Sequence, residues 1–153
     1  MASITNLEQH DSDQHFTQPW VFEALGLKFD LDVASPCGGV SWIPAAHTYC
    51  KLNDALQQRW YGRVWMNPPY SKPAPWVDKF IENGNGIALL PVTKGMWFDK
   101  VWAAADGLVM DKYNSKFVRP DGTKRDITFR TVFVAIGEDN VEALHRLNLG
   151  RVR

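Results

Sequence analysis

Gly62-Arg63-Val64-Trp65-Met66-Asn67-Pro68-Pro69-Tyr70 decides how this chain folds. Gly62-Arg63-Val64-Trp65-Met66 reads as a short buried strand, with Val64, Trp65 and Met66 as its consecutive apolar residues. The run passes with no spacer into Asn67-Pro68-Pro69-Tyr70. Two successive prolines fix φ and carry no amide hydrogen, and a residue before proline is pushed toward extended conformations. The loop is therefore stiff, and its prolines offer acceptors only. Asn67 adds a side-chain carbonyl and Pro68 a main-chain carbonyl at a fixed separation, and Tyr70 adds a flat ring. Two converging acceptors suit a nitrogen bearing two hydrogens, and stacking a base on an aromatic ring contributes about 1–3 kcal/mol. The constellation reads as a clamp for an amine on a planar heterocycle. The competing reading is plain turn punctuation with a tyrosine covering a core.

Outward from this stretch, apolar strands alternate with helical patterns. Upstream, residues 19–27 predict a short helix with Pro19 near its start, Thr17 as a cap, and Trp20, Phe22 and Leu25 on its apolar side. Phe29-Asp30-Leu31-Asp32-Val33-Ala34 predicts a strand that ends in small residues and Pro36. Residues 37–49 are irregular and carry no predicted element, and residues 54–60 predict one or two helical turns. Downstream, residues 75–83 predict a helix with Trp76, Phe80 and Ile81 inward, and residues 86–91 are the clearest buried strand. Trp97, Val101 and Trp102 give residues 96–105 a helical spacing, and residues 108–110 another strand. Arg119-Pro120-Asp121-Gly122 marks a turn between extended segments, residues 128–136 are β-rich, and residues 138–147 close as an amphipathic helix. This alternation predicts an α/β domain with a mostly parallel sheet covered by helices on both faces. In such sheets ligands sit beyond the carboxyl ends of the strands, where residues 32–36 and 67–70 both fall.

The chain has 153 residues, 45% of them hydrophobic, 12% aromatic and 22% charged, which suits one globular domain and excludes a disordered chain. Nine prolines and eleven glycines exclude a coiled coil, and no run approaches the roughly 18 apolar residues of a membrane span. Residues 1–13 are polar and acidic and predict a flexible tail, with residues 14–153 as the single domain. The net charge is zero, but residues 1–110 carry 8 basic and 11 acidic residues whereas residues 111–153 carry 9 and 6. Lys112, Lys116, Arg119, Lys124, Arg125 and Arg130 crowd a basic β-ribbon at about 111–130. Its bland reading is a solvated ribbon; its functional reading is a hairpin whose cations meet DNA phosphates. Cys37 and Cys50 suggest no disulfide framework, and a reducing cytoplasm is the simplest home. With His47 they fit no common zinc spacing, so no metal is expected. Most of the seven tryptophans read as core, with Trp76 the one set near a base pocket.

Taken in order, Thr17-Gln18-Pro19, residues 29–35, Asp54-Ala55-Leu56, residues 62–70, Pro75-Trp76-Val77, Leu89-Leu90-Pro91 and Trp97-Phe98 make the chain resemble the phage-type DNA adenine-N6 methyltransferases, the Dam-like family, over about residues 16–137. The resemblance implies a Rossmann-like methyltransferase fold in one compact domain, with S-adenosylmethionine as methyl donor and double-stranded DNA as partner. It also implies a bacterial host cytoplasm for a phage-encoded enzyme. It assigns Thr17, Pro19, Asp32, Ala34 and Ser35 to the donor's amino-acid part and Asp54 to its adenine. Asn67, Pro68, Pro69 and Tyr70 become the catalytic loop for a flipped adenine, and Lys116, Arg119, Lys124 and Arg125 the DNA contacts. Three departures stand out. A glycine-rich phosphate fingerprint is missing, which suits a donor without pyrophosphate; no acid follows a second strand to hold ribose; and Asn114-Ser115 replaces the family's Gly-Arg before Lys116-Phe117. Two other classes stay open: amine methylation of RNA or protein glutamine, and a non-catalytic module that binds S-adenosylmethionine or DNA.

Overall fold

The structure, a computed structural model, describes residues 16–112, 117–125 and 129–153. The predicted tail therefore lies outside the described residues, as do Asn114, Ser115 and Lys116. Helix α1 (Pro19–Leu25) leads into β1 (Phe29–Asp32), and β2 (Ala45–Thr48) follows. Next come β3 (Val64–Met66), α2 (Ala74–Asn83), β4 (Gly86–Pro91), α3 (Met96–Ala104) and β5 (Gly107–Met110). A two-stranded ribbon, β6 (Phe117–Val118) and β7 (Lys124–Arg125), precedes β8 (Thr131–Ile136) and α4 (Glu138–Arg146).

Six strands form one sheet in the order β2-β1-β3-β4-β8-β5. β2, β1, β3 and β4 are parallel neighbours, and β8 is antiparallel to both β4 and β5, so β8 alone runs backwards. Alternation along the strands sends side chains to two cores. Trp65, Ile87, Leu89, Val109 and Phe133 pack with Phe22 and Leu25 of α1 and Ala143 and Leu144 of α4. Val64, Met66, Ala88, Leu90 and Val132 pack with Val77 and Phe80 of α2 and Val101 of α3. The expected α/β sheet, mostly parallel and covered on both faces, is what forms. The free edge of β5 is closed by the C-terminal residue, with Leu108 and Arg153 exchanging main-chain hydrogen bonds of 2.7 and 2.8 Å.

Local chemistry sets the helix limits. Pro19 takes the first position of α1, and Gly26, in the left-handed conformation at φ 64°, ends it by donating its N–H to the Phe22 carbonyl. At Gly86 the parallel strands approach so closely that a Cβ would run into the Val64 carbonyl.

Several expectations are corrected. The irregular stretch 37–49 contains β2, whose Ala45–Thr48 pattern is half-exposed because it is an edge strand. The turns around residues 51–57 are two short 3-10 segments, Lys51–Asn53 and Ala55–Gln57. Trp102 is 63% exposed, since it lies one position round the helix from the inward stripe of Trp97, Phe98 and Val101. Cys37 and Cys50 form a disulfide, with Cα atoms 5.0 Å apart. Spacing gave no hint of this bond. It follows from the parallel pairing of β1 and β2, which sets Ser35 N–H on the Tyr49 carbonyl at 2.9 Å and so brings the two following loops together.

At the edge of the sheet where the parallel strands begin, Asn140 is 1% exposed and joins three elements. Its Nδ2 donates to Asn85 Oδ1 and to the Ile136 carbonyl, both at 2.7 Å, and its Oδ1 accepts from Arg63 Nε at 2.8 Å. Arg63 N–H in turn donates to Asp30 Oδ2 at 2.7 Å. Asn140→Ala strands those partners and should cost about 1–3 kcal/mol. Urea unfolding of the two proteins checks this, and equal midpoints would show that the network adds nothing to stability.

Candidate active site

Both unusual loops open at the carboxyl ends of the parallel strands. Pairing sets Leu31 level with Val64 and Asp32 level with Trp65, so β1 and β3 release their loops side by side. Between them lies a cleft of about 580 Å³. Val33, Ala34 and Ser35 form one wall, Asn67 and Pro69 another, and Tyr49, Lys51, Asp54 and Leu56 a third. The Cys37–Cys50 disulfide ties the first wall to the third. Phe16, Trp76 and Pro120 also line it.

Asp32 stands behind this lining, 2% exposed at the end of β1. Its Oδ1 accepts from the Ala34 N–H at 3.3 Å, and no basic side chain among the described residues pairs with it. Burial raises its pKa to about 7, opposed only by that hydrogen bond. Ser35 is buried and spends its hydroxyl on the Pro36 carbonyl at 2.8 Å. Thr17 is buried too, and its carbonyl accepts from Trp42 Nε1 at 2.8 Å. The Thr17 hydroxyl accepts from Asn67 Nδ2 at 3.2 Å, which turns the amide so that its nitrogen faces Thr17. Asp54 reaches the cleft from a left-handed backbone at φ 52°.

Pro68 and Tyr70, the rest of the 67–70 loop, are not part of the lining. Pro68 is buried. Tyr70 donates its hydroxyl to the Leu89 carbonyl at 3.0 Å and meets Phe129 edge-on at 5.7 Å. Burial first, and the Asp111 carboxylate second, hold its phenol well above the usual range, so it stays a neutral donor. Pro19 is exposed at the start of α1, away from the cleft lining.

The ribbon adjoins the cleft. Phe16 and Val118 exchange main-chain hydrogen bonds of 2.7 and 2.8 Å, and Pro120 at the ribbon's turn lines the cleft. Lys124 and Arg125 form β7, and Arg119 is half-buried with an Nε that finds no hydrogen-bond partner among the described residues. Sequence reasoning missed Phe16, Tyr49, Leu56 and Pro120. Phe16 adjoins Thr17 and Pro120 adjoins Arg119, but neither carries a chemical signal of its own.

Asp32 makes a pH test available. Its folded pKa of about 7 lies above the ordinary 3.8, so the folded chain holds the extra proton between those values. Stability from this group is full below about pH 4 and is lost as pH rises through about 7. Asp32→Asn should flatten that decline in melting profiles taken from pH 4 to 8; an unchanged slope would place the burial cost elsewhere.

The profile of a family described as DNA N-6-adenine-methyltransferase (Dam) matches residues 4–135. A curated DNA N-6-adenine-methyltransferase of Haemophilus phage HP1 (strain HP1c1) is 32% identical over 110 residues, 65% of this chain and 62% of that protein. The match thus spans less than two thirds of the relative's length. The family profile, by contrast, runs over most of the chain and takes in both loops that frame the cleft. The chain belongs to the DNA N-6-adenine-methyltransferase (Dam) family.

Proposed function

We propose that this chain transfers a methyl group from S-adenosylmethionine to the N6 amine of adenine in double-stranded DNA, on a Rossmann-like fold, in the bacterial cytoplasm where that DNA lies. The observation that carries the reading is the meeting of residues 33–35 with Asn67 and Pro69 around one cleft, with Asp32 buried behind it, in a chain of this family. A volume of about 580 Å³ lies within the range of small-molecule and cofactor sites. The donor carries an ammonium and a carboxylate at one end and adenine at the other. Asp32, a buried carboxyl with no basic partner among the described residues, suits the ammonium. Ala34 and Ser35 line the same end, Thr17 lies buried behind Asn67, Pro19 stands at the adjoining start of α1, and Asp54 suits the adenine amine.

S-adenosylmethionine supplies a methyl already activated on a sulfonium sulfur. What the chain adds is alignment and the amine clamp. The adenine leaves the duplex, at a cost of a few kcal/mol, because a paired amine is out of reach. Its amine lone pair is delocalised into the ring. Hydrogen bonds accepted by the Asn67 amide oxygen and the Pro68 carbonyl favour a more tetrahedral nitrogen and release that lone pair toward the methyl. Rigid acceptors act selectively on the transition state, where this charge develops. Thr17, by holding Asn67 Nδ2, aims the amide oxygen. Pro69 fixes the loop, and the Tyr70 ring carries the base by stacking. Lys116, Arg119, Lys124 and Arg125 meet phosphates and set register, with little reach to base edges.

Asn67→Ala should lower methyl transfer about 10²–10³-fold while donor binding persists. Tritiated methyl from S-adenosylmethionine, followed into DNA, RNA and protein, measures the first quantity and titration calorimetry the second. Label in RNA or protein instead of DNA adenine would overturn the assignment. Asp32→Ala should weaken donor binding in a chain that still melts cooperatively. In the wild type, donor affinity should rise as pH passes about 7, because the ammonium needs the carboxylate form. An affinity indifferent to both changes would move the donor away from β1.

A further inference from the structure

We infer that Met96 and Lys94, on the turn after β4, form a DNA contact separate from the ribbon: Met96 enters the base stack beside the displaced adenine, and Lys94 holds a flanking phosphate. This rests on the proposed reading of the site. Met66 of β3 pairs with Ala88, but β4 continues to Pro91, three residues past the point where β3 ends. At roughly 3.3 Å per residue the turn stands about 10 Å further out than the start of the catalytic loop. The Tyr70 hydroxyl bonds the Leu89 carbonyl, which fastens that loop beside β4 and below its tip. A duplex presenting an adenine to residues 67–70 therefore meets this turn on its flank.

The turn is built to hold a fixed shape. Val92 N–H donates to the Arg130 carbonyl at 2.9 Å, Gly95 N–H to Thr93 Oγ1 at 3.1 Å, and Phe98 N–H to the Gly95 carbonyl at 2.9 Å. Trp97 and Phe98 pack inward against one another with ring centroids 5.6 Å apart. Met96 goes the other way and is 83% exposed. An isolated exposed methionine would mean little. This one opens α3 directly after the turn, with exposed Lys94 two residues before it and exposed Arg130, which precedes β8, hydrogen-bonded through its carbonyl to Val92; Lys72 and Lys112 are exposed after β3 and β5. Asp30, Asp106, Glu138 and Asp139 lie at the opposite edge together with Arg63, and Asp54 and Asp121 lie on this one. Asp99 already occupies the first turn of α3, so the lysines, and not the helix end, are the phosphate partners. Leu52 is also exposed, at 88%, but it follows edge strand β2, two strands from β3, on the donor side.

An unbranched apolar side chain of this kind can fill the space a displaced base leaves, as inserted methionine and leucine wedges do in kinked DNA. Its value appears only when there is a stack to open. The test compares methyl transfer into a duplex with a paired target adenine against the same duplex with an abasic site opposite the target. Met96→Ala should lose about tenfold on the paired duplex and little on the abasic one, a difference that a general folding defect would not produce. Leu52→Ala should keep the wild-type ratio. Lys94→Ala should weaken DNA binding and reduce the salt slope by about one unit. 2-Aminopurine at the target should brighten less with Met96→Ala than with the wild type. If the wild type methylates duplex adenine and Met96→Ala keeps its paired-to-abasic ratio, the wedge is wrong and the enzyme assignment stands. A wild type that puts no label into DNA and leaves 2-aminopurine dark overturns the assignment, and the wedge with it.

Discussion

The parallel pairing of β1 with β3 sets Asp32 level with Trp65, and the geometry of the site depends on that register. With no polar spacer after β3, Asn67 begins where Met66 ends, and residues 33–35 leave β1 beside it. A shift of one residue in either strand would turn every side chain to the opposite face. Asp32 would then change places with Val33, a buried carboxyl would enter the core, and the Thr17 hydroxyl would lose Asn67. The register is held because both faces are packed: Trp65 lies against Phe22 at 4.8 Å and Phe29 at 5.8 Å on one side, and Val64 and Met66 against α2 on the other.

The two ends of the sheet divide the work. Where the parallel strands begin, Arg63, Asn83, Asn85 and Asn140 satisfy each other and the local carbonyls, as polar groups at an edge need to. Where they end, polar groups are left for other uses. Asp32 keeps a single main-chain donor, and its raised pKa records the cost of burying it. The Cys37–Cys50 disulfide belongs to the same edge and joins two walls of the cleft that the sheet alone connects only through main-chain bonds.

The ribbon is tied to the cleft. Its first strand is stitched to Phe16, immediately before Thr17, and its turn places Pro120 on the cleft. Thr123 caps that turn with two hydrogen bonds to Asp121 Oδ1, of 2.9 and 2.7 Å, which hold the aspartate below its usual pKa. Main-chain bonds from Val118 to Phe16, and the hydrogen bond from Asn67 Nδ2 to the Thr17 hydroxyl, thus connect the ribbon to the loop after β3.

Much of this was legible in residue order. Buried parallel strands show as unbroken apolar runs, so residues 64–66 and 86–91 declared themselves, and prolines and glycines marked the ends of α1 and α2. The tetrapeptide 67–70 declared its chemistry because two prolines leave a backbone few conformations. β2 stayed hidden, since an edge strand half in water has no apolar signature, and with it went Tyr49 and the disulfide. Trp102 was taken for core because spacing shows which residues share a stripe but not where that stripe ends. Local sequence determined the strands, the stiff loop and the family pattern, all of which rest on neighbours along the chain. Tertiary structure alone decided which loops share a cleft, that Asp32 is buried beside it without a basic partner among the described residues, and that Pro120 closes over it, because each depends on strand register and on contacts between residues far apart in the chain.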